Sequence, residues 1–158
     1  MLDISMVRVD ERLIHGQILI KWIQAKKASR ILIIDNEVSN DPVMKNILNM
    51  SVPKNIVLDI YDLKNGIKIL TTDESDDNVI VLVRNLWVVR TMHQEGVKIK
   101  EVNIGRLPSG TGKKKIHPSV FLSDKDMDII EYFKRKDIPV VIQVVPDSLP
   151  IVVYDLIY

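Results

Sequence analysis

The chain's first strand-to-helix transition is the run Val7-Arg8-Val9-Asp10-Glu11-Arg12-Leu13-Ile14-His15-Gly16-Gln17. It opens as an apolar strand, passes through consecutive charged residues, and places His15 where an amphipathic helix begins. A strand followed directly by a helix is the unit from which parallel sheets are built. At such a helix start, backbone N–H groups and the positive end of the helix dipole favour an anion beside the histidine.

Short apolar runs and amphipathic stretches alternate along the rest of the chain. The predicted strands are Ile4–Val9, Arg30–Ile34, Asn55–Tyr61, Val79–Val83, Glu101–Ile104, Val120–Leu122 and Val140–Val145. Several are almost entirely Val, Ile and Leu, which is typical of buried parallel strands. We therefore predict an α/β fold, an open and mostly parallel Rossmann-like sheet of about seven strands with helices on both faces. Ligands of such folds bind beyond the carboxyl ends of the strands, which is where His15 follows the first strand.

The helix after Asp41-Pro42 has a well-marked start, because Asp is a good N-cap and Pro suits the first helical position. Its apolar residues at helical spacing predict a face turned into the core, formed by Val43, Ile47 and Met50. Met44 and Trp22 are further core candidates.

Two segments in the second half depart from the simple alternation. Gly105–Pro118 is longer than an ordinary connection, which predicts a functional or disordered loop. Its run Lys113-Lys114-Lys115 is expected to be a solvated stretch, with docking of an acidic partner as the alternative. Without interleaved aromatic residues, this run does not favour nucleic acid. The apolar tail Leu149–Tyr158 is expected to be a short packed edge element.

Length and composition favour an ordinary globular protein. The chain has 158 residues, of which 46% are hydrophobic and 27% charged, and its net charge is +1. We expect one domain over residues 1–158, with no overall attraction to nucleic acid or to an anionic membrane. The absence of cysteine excludes disulfides and thiolate metal sites. Because no signal peptide or membrane-spanning apolar run is evident, a cytoplasmic location is the expectation.

His15 has two possible roles. The simpler one is a histidine at a helix start that makes only a local hydrogen bond. The other is a nucleophile, which must be neutral, with one ring nitrogen free and the other held. Asp10 can accept a hydrogen bond from the held nitrogen, and Arg12 can pair with phosphoryl oxygens through its planar fork. These residue types suit a histidine that carries a phosphoryl group, with no metal and no cofactor.

Further candidates for the phosphate site and its cleft follow from position. Some belong to the same transition, and others follow the second and fourth predicted strands at the same sheet edge. A glycine directly after the histidine would let another surface approach closely. The candidates are Arg8, Gly16, Gln17, Asn36 and Arg84.

The segment Val9–Gln17, followed by Lys21-Trp22, resembles the signature of the IIB component of the mannose/fructose/sorbose family of bacterial phosphoenolpyruvate-dependent sugar phosphotransferase systems. The resemblance extends through Asp35–Pro42, Val102–Gly105 and Pro139–Pro146, and it covers essentially the whole chain. It implies an open, mostly parallel sheet with helices on both faces.

The resemblance also implies an activity and a set of partners. His15 matches the phosphorylated position of the family, and Asp10 and Arg12 match its charged neighbours. The IIB component accepts the phosphoryl group from the phosphohistidine of a IIA component. It passes the group to a sugar imported through the membrane IIC and IID components, and it meets the membrane only through these partners.

Two positions depart from the family pattern. Glu11 stands where the family usually has Asp, and Arg106-Leu107 stands where the family often has Gly-Met. The second change leaves open what Arg106 does in the loop opposite the site.

A receiver-like regulatory module is the alternative function. Asp10 and Glu11 after the first strand, with Asp59 in the third, resemble a metal-assisted phosphoaspartate pocket. Asp59 falls inside its strand, however, and no lysine closes the fifth strand. A structural or nucleic-acid adaptor is a third possibility, and such a protein would not be phosphorylated at all.

Overall fold

Strands and helices alternate along most of the chain in the computed structural model, which describes residues 1–157 apart from the side chains of Gln17 and Ile18. The strands are β1 (Asp3–Asp10), β2 (Arg30–Ile34), β3 (Val57–Tyr61), β4 (Asn78–Val83), β5 (Val102–Arg106), β6 (Lys114–His117), β7 (Val120–Leu122), β8 (Val140–Ile142) and β9 (Ile151–Val152). The helices are α1 (Gly16–Lys26), α2 (Asn36–Ser39), α3 (Pro42–Ser51), α4 (Leu63–Thr72), α5 (Leu86–Gln94), α6 (Asp124–Arg135) and α7 (Tyr154–Ile157).

The main sheet has seven strands within the described residues, in the order β3-β2-β4-β1-β5-β8-β9. All its pairings are parallel except that of β8 with β9. Side chains of α1 and α3 pack on one face around Ile31 and Ile33, and those of α4, α5 and α6 pack on the other around Leu32 and Ile34. The predicted three-layer, mostly parallel architecture is confirmed. Each described helix is too short or too polar to span a bilayer.

The strands that form the main sheet differ from the predicted set at one edge of the sheet. Val120–Leu122 forms a strand, but it pairs antiparallel with β6, in a hairpin separate from the main sheet. The seventh place belongs to β9, which lies in the apolar tail and pairs antiparallel with β8. The segment Gly105–Pro118 is therefore largely an ordered hairpin arm. Its strand escaped prediction because Lys114-Lys115 gives no apolar run to detect.

Helix α3 begins as predicted but turns the opposite face inward. The carboxylate of Asp41 accepts a hydrogen bond from the backbone N–H of Met44, which caps the helix. Leu48 is the residue that α3 buries. The side chains predicted to be buried are exposed by large fractions, namely Val43 by 69%, Met44 by 39%, Ile47 by 49% and Met50 by 82%. Periodicity identified a helix with an apolar stripe, but it could not tell which neighbours cover the stripe. Trp22 is buried as expected.

Candidate functional site

A tight turn at the carboxyl end of β1 brings His15 back against Asp10. Asp10 is the last residue of the strand, and its side chain is only 1% exposed. Leu13 has left-handed backbone torsions, with φ of 55°, and its N–H donates to the carbonyl of Asp10 at 3.0 Å. Gly16 then begins α1 with φ of 43°, a left-handed torsion that favours glycine. A Cβ at this position would have no other atom within 4 Å. The turn therefore places the imidazole at the strand end.

The imidazole of His15 is held by one nitrogen. Its Nε2 lies 3.0 Å from Oδ2 of Asp10, and the side chain is 19% exposed. Because the carboxylate can only accept, Nε2 carries the proton of this hydrogen bond. His15 is the N-cap of α1 but makes no side-chain capping bond. Among the described residues Nδ1 has no hydrogen-bond partner, which leaves its lone pair free, as a nucleophilic histidine needs.

Arg12 forms a two-point ion pair with the same carboxylate. Its Nε and Nη2 donate to Oδ1 and Oδ2 of Asp10 at 3.0 and 2.9 Å, and its backbone N–H donates to Oδ1 at 3.0 Å. The side chain is 30% exposed, and within the described residues Nη1 has no hydrogen-bond partner. Contact of Arg12 with phosphoryl oxygens stays a prediction, with Nη1 as the donor available for it.

Arg8 does not line the cleft, contrary to the prediction, because its side chain is only 2% exposed. Its guanidinium donates to Oδ1 of Asn103 at 2.6 Å and to the carbonyls of Gln143 and Val144 at 2.8 and 3.1 Å. It also lies 3.7 Å from the Asp10 carboxylate and 5.2 Å from the ring centroid of Trp22. Burial lowers the pKa of Arg8 to about 10, while the charge of Asp10 opposes the shift. Arg8 is a buried support beneath Asp10.

The remaining predicted residues occupy other parts of the edge. Arg84 donates to Asp35 at 2.5 and 2.8 Å and to Glu37 at 3.2 Å. Asn36 accepts from the backbone N–H of Leu63 at 2.9 Å. No described hydrogen bond joins either of them to His15, so their part in the site stays a prediction. Gly16 is exposed beside the histidine, and the side chain of Gln17 lies outside the described residues.

The charge of Asp10 has a consequence for acid stability. Burial disfavours the ionised form, but hydrogen bonds from His15 and Arg12 outweigh it and hold the pKa of Asp10 well below its ordinary range. A depressed native pKa means that the stabilisation is fully present above the unfolded pKa of about 3.9. It is lost as the pH falls towards the native pKa.

We therefore expect the unfolding free energies of wild type and Asp10→Asn to differ by a constant amount above about pH 5 and to converge below about pH 4. Urea unfolding measured across this pH range checks the prediction. Hydrogen bonds from Arg30 and Ser75 lower the pKa of Asp73 to about 2. The difference in unfolding free energy between wild type and Asp73→Asn should therefore also shrink on acidification, which provides a second comparison. A gap between wild type and Asp10→Asn that widened on acidification would contradict the assignment.

Gly105 is a site residue that sequence reasoning did not assign. It lies in β5 beside the buried pair, and a Cβ there would lie 2.6 Å from Oδ2 of Asp10 and equally close to Cζ of Arg8. No room exists for a side chain without moving these two groups. A glycine inside an apolar strand is a signal of such close approach. Asn103, an amide in the same strand, is the other signal, and it binds Arg8.

Gly105→Ala is expected to destabilise the protein by about 1–3 kcal/mol, because the added methyl group overpacks a filled site. It should also slow any reaction that uses His15, since Asp10 must shift. Gly110→Ala is the matched control, because its Cβ would come no closer than 3.5 Å to the Lys113 side chain. Urea unfolding measures both variants. Equal stability of Gly105→Ala and Gly110→Ala would refute the close-contact explanation.

A cleft of about 380 Å³ opens next to the pair of Arg12 and Asp10. It is lined by Arg12, by residues on both sides of the β5 end and by the β6–β7 hairpin, namely Gly105, Arg106, Leu107, Pro108, Ser109, Pro118, Ser119 and Phe121, together with Val144. Arg106 and Glu11 form an ion pair of 3.1 Å at its edge. The segment predicted as a loop thus forms one wall of the cleft beside the site.

The acidic groups of the receiver-like alternative are not brought together. Asp59 accepts from Nε of Arg30 at 2.6 Å, and Arg30 is the first residue of β2. Asp10 is the last residue of a strand in the same parallel sheet. Within the described residues, no group of three His, Cys, Asp or Glu side chains is placed to hold a metal ion.

Comparison with known proteins gives one consistent family. Residues 4–157 match the sequence model described as "PTS system sorbose subfamily IIB component". The chain is 28% identical over 157 residues to the sorbose-specific EIIB component of Klebsiella pneumoniae, covering 99% of this chain and 96% of that protein. It is also 28% identical to the mannose-specific EIIAB component of Escherichia coli K12, covering 98% of this chain. The chain spans about half the length of that relative, 48%.

Two solved structures share the fold closely. The IIBSor domain of the sorbose permease from Klebsiella pneumoniae superposes with a TM-score of 0.93 at 28% identity, covering 98% of this chain and 96% of that one. The manxB protein of Thermoanaerobacter tengcongensis superposes with a TM-score of 0.92 at 29% identity, covering 99% of this chain and 96% of that one.

Proposed function

The chain belongs to the sorbose-subfamily IIB components of the phosphotransferase system, and on that basis we propose that it carries a phosphoryl group on His15 between a IIA component and an imported sugar. IIB components are phosphotransferases of sugar uptake. The observation that carries the proposal is the 3.0 Å contact between His15 Nε2 and Asp10, because it leaves Nδ1 as the one nucleophilic nitrogen.

The first transfer needs only positioned groups. The Nδ1 lone pair attacks the phosphorus of the donor's phosphohistidine, the new N–P bond forms, and the donor imidazole leaves with the electrons of the old N–P bond. The proton on Nε2 stays in place, so the phosphorylated ring is cationic and the Asp10 carboxylate stabilises it. Nη1 of Arg12 and the N–H groups at the start of α1 are donors that can contact the phosphoryl oxygens.

The second transfer reverses the roles. A sugar hydroxyl oxygen attacks the phosphorus, the bond to Nδ1 breaks, and Nδ1 regains its lone pair while the hydroxyl proton is released to solvent. We propose a IIA component as donor and membrane IIC and IID components as the site of the sugar, with this chain on the cytoplasmic side. The names of the relatives differ in sugar, so the proposal extends to sugars as a class.

The receiver-like alternative has no support from the family match or from the geometry. The matches are to phosphotransferase IIB components, and Asp59 is paired with Arg30, away from Asp10. The chemistry of the phosphorylated product separates the two functions, because a phosphohistidine is labile to acid and stable to base, whereas a phosphoaspartate is labile to base.

The test is phosphorylation of the purified chain. It is incubated with phosphoenolpyruvate, enzyme I, the histidine phosphocarrier and a cognate IIA component, and its intact mass is measured. The proposal expects an added mass of one phosphoryl group that is removed by acid and retained in base. No added mass, or an adduct lost in base, would contradict it.

A further inference from the structure

Arg106 lies next to the site in a position that the reaction described so far does not use. It is the last residue of β5, is in register with Asp10 of β1, and its carbonyl accepts the N–H of Glu11 at 3.2 Å. Neighbouring strands lie about 4.8 Å apart, so the backbone of Arg106 is within that distance of the residue that holds His15. Its side chain is 47% exposed.

The arginines around the site differ in how many of their donors are occupied. Arg8 is buried and donates three hydrogen bonds. Arg12 uses Nε and Nη2 on Asp10. Arg106 only pairs with Glu11, at 3.1 Å from Nε, and its guanidinium donates no hydrogen bond to any described residue. Arg106 is therefore the guanidinium with the most donors left, because Nη1 and Nη2 have no partner among the described residues and Nε faces only Glu11.

A phosphoryl group brings about two negative charges to the site. Arg8 and Arg12 share the single carboxylate of Asp10, so together they leave about one positive charge against the two negative charges of the phosphoryl group. Arg106 lines the same cleft as Arg12, which gives both guanidinium groups access to one volume. Glu11, its present partner, is itself 33% exposed and can remain in water when the ion pair opens.

We propose that Arg106 is a second phosphate-binding residue, which rests on Glu11 in the free protein and transfers its fork to the phosphoryl oxygens as the donor reaches His15. This inference rests on the proposed function. An exposed carboxylate pair is weak, and a two-point contact with a phosphoryl group is stronger than the single contact that Glu11 makes. Glu11 is then a competitor for the fork, and its removal should assist the reaction.

Variants with opposite expected effects test this role. The rate of His15 phosphorylation is followed by intact mass with phosphoramidate as a small-molecule donor, and with phosphorylated IIA. Arg106→Gln is expected to slow transfer by about tenfold, and Glu11→Gln to accelerate it by about twofold or more, because the fork is released. The double variant should behave like Arg106→Gln.

Two control variants distinguish the effect of the planar guanidinium of Arg106 from the effect of its positive charge. Arg135→Gln removes an equal charge from a surface ion pair on α6, whose arginine is 74% exposed, and it should match wild type. Arg106→Lys keeps the charge but not the planar fork, so it should remain about threefold slower than wild type. Thermal unfolding confirms that each variant is folded.

The outcomes discriminate clearly. If Arg106→Gln and Glu11→Gln slow transfer equally, the ion pair is structural and the proposal is overturned. If Arg106→Lys or Arg106→Gln matches wild type, the fork does not contact the phosphoryl group and the proposal is likewise overturned. If wild type itself accepts no phosphoryl group from either donor, the proposed function fails, and this inference fails with it.

Discussion

Replacing His15 with alanine is expected to abolish phosphorylation while leaving the fold intact. The imidazole supplies the one nitrogen with a free lone pair at the strand end, and no other described group there can form the N–P bond. The side chain is 19% exposed and belongs to neither hydrophobic cluster, so its loss costs about 1.5–3 kcal/mol through the hydrogen bond to the charged carboxylate of Asp10. Intact mass after incubation with the phosphotransfer components measures the adduct, and circular dichroism measures the fold.

His117→Ala is the control for this experiment. His117 lies in the β6–β7 hairpin and contacts Ser119 through Nδ1 at 3.0 Å. The His117→Ala variant should be phosphorylated as fully as the wild-type protein. A phosphoryl adduct of normal yield on His15→Ala would show that another residue carries the group.

Asp10→Asn is expected to slow phosphoryl transfer by about a hundredfold or more, because the neutral amide no longer stabilises the cationic ring or fixes its tautomer. It also leaves the buried Arg8 and the Arg12 fork without their shared carboxylate. Removing one partner from a buried ion pair costs about 3–5 kcal/mol of stability. Rapid-quench kinetics on the folded variant measure the rate, and urea unfolding measures the stability.

Asp59→Asn is the matched comparison for Asp10→Asn. It removes a carboxylate from another arginine pair, that with Arg30 at the amino end of β2. Some stability should be lost, while the transfer rate stays within about twofold of wild type, because Arg30 is remote from the transferred group in the sheet. Equal rate losses in the two variants would mean that Asp10 acts only through general stability.

The pairing of His15 with Asp10 could be predicted because both ends of it lie within one short segment. A strand exit followed within five residues by a helix start leaves few ways to arrange the turn, and the carboxylate is the natural acceptor for a ring N–H. The sheet was predictable for a similar reason, since β1, β2 and β4 are buried apolar runs with strong local signals.

The placement of Arg8 was not predictable from local pattern. Its partners Asn103, Gln143 and Val144 are distant in the chain, and only the docking of β1 against β5, with β8 next to it, brings them together. From the sequence alone, an arginine between Val7 and Val9 at the end of a strand is expected to line the cleft, because its buried acceptors are not evident. The wrong prediction of the buried face of α3 has the same cause. The amphipathic pattern predicts a helix, but which face of the helix is buried depends on neighbouring elements that are distant in the sequence.

The position of the phosphoryl group on the imidazole tests the central claim most directly. Two-dimensional ¹H–¹⁵N spectra of the phosphorylated protein, with the phosphorus coupling resolved, distinguish Nδ1 from Nε2. The hydrogen bond between Nε2 and Asp10 predicts a phosphoryl group on Nδ1 of His15, with Nε2 still protonated. A phosphoryl group on Nε2, or on any other residue, would contradict the account.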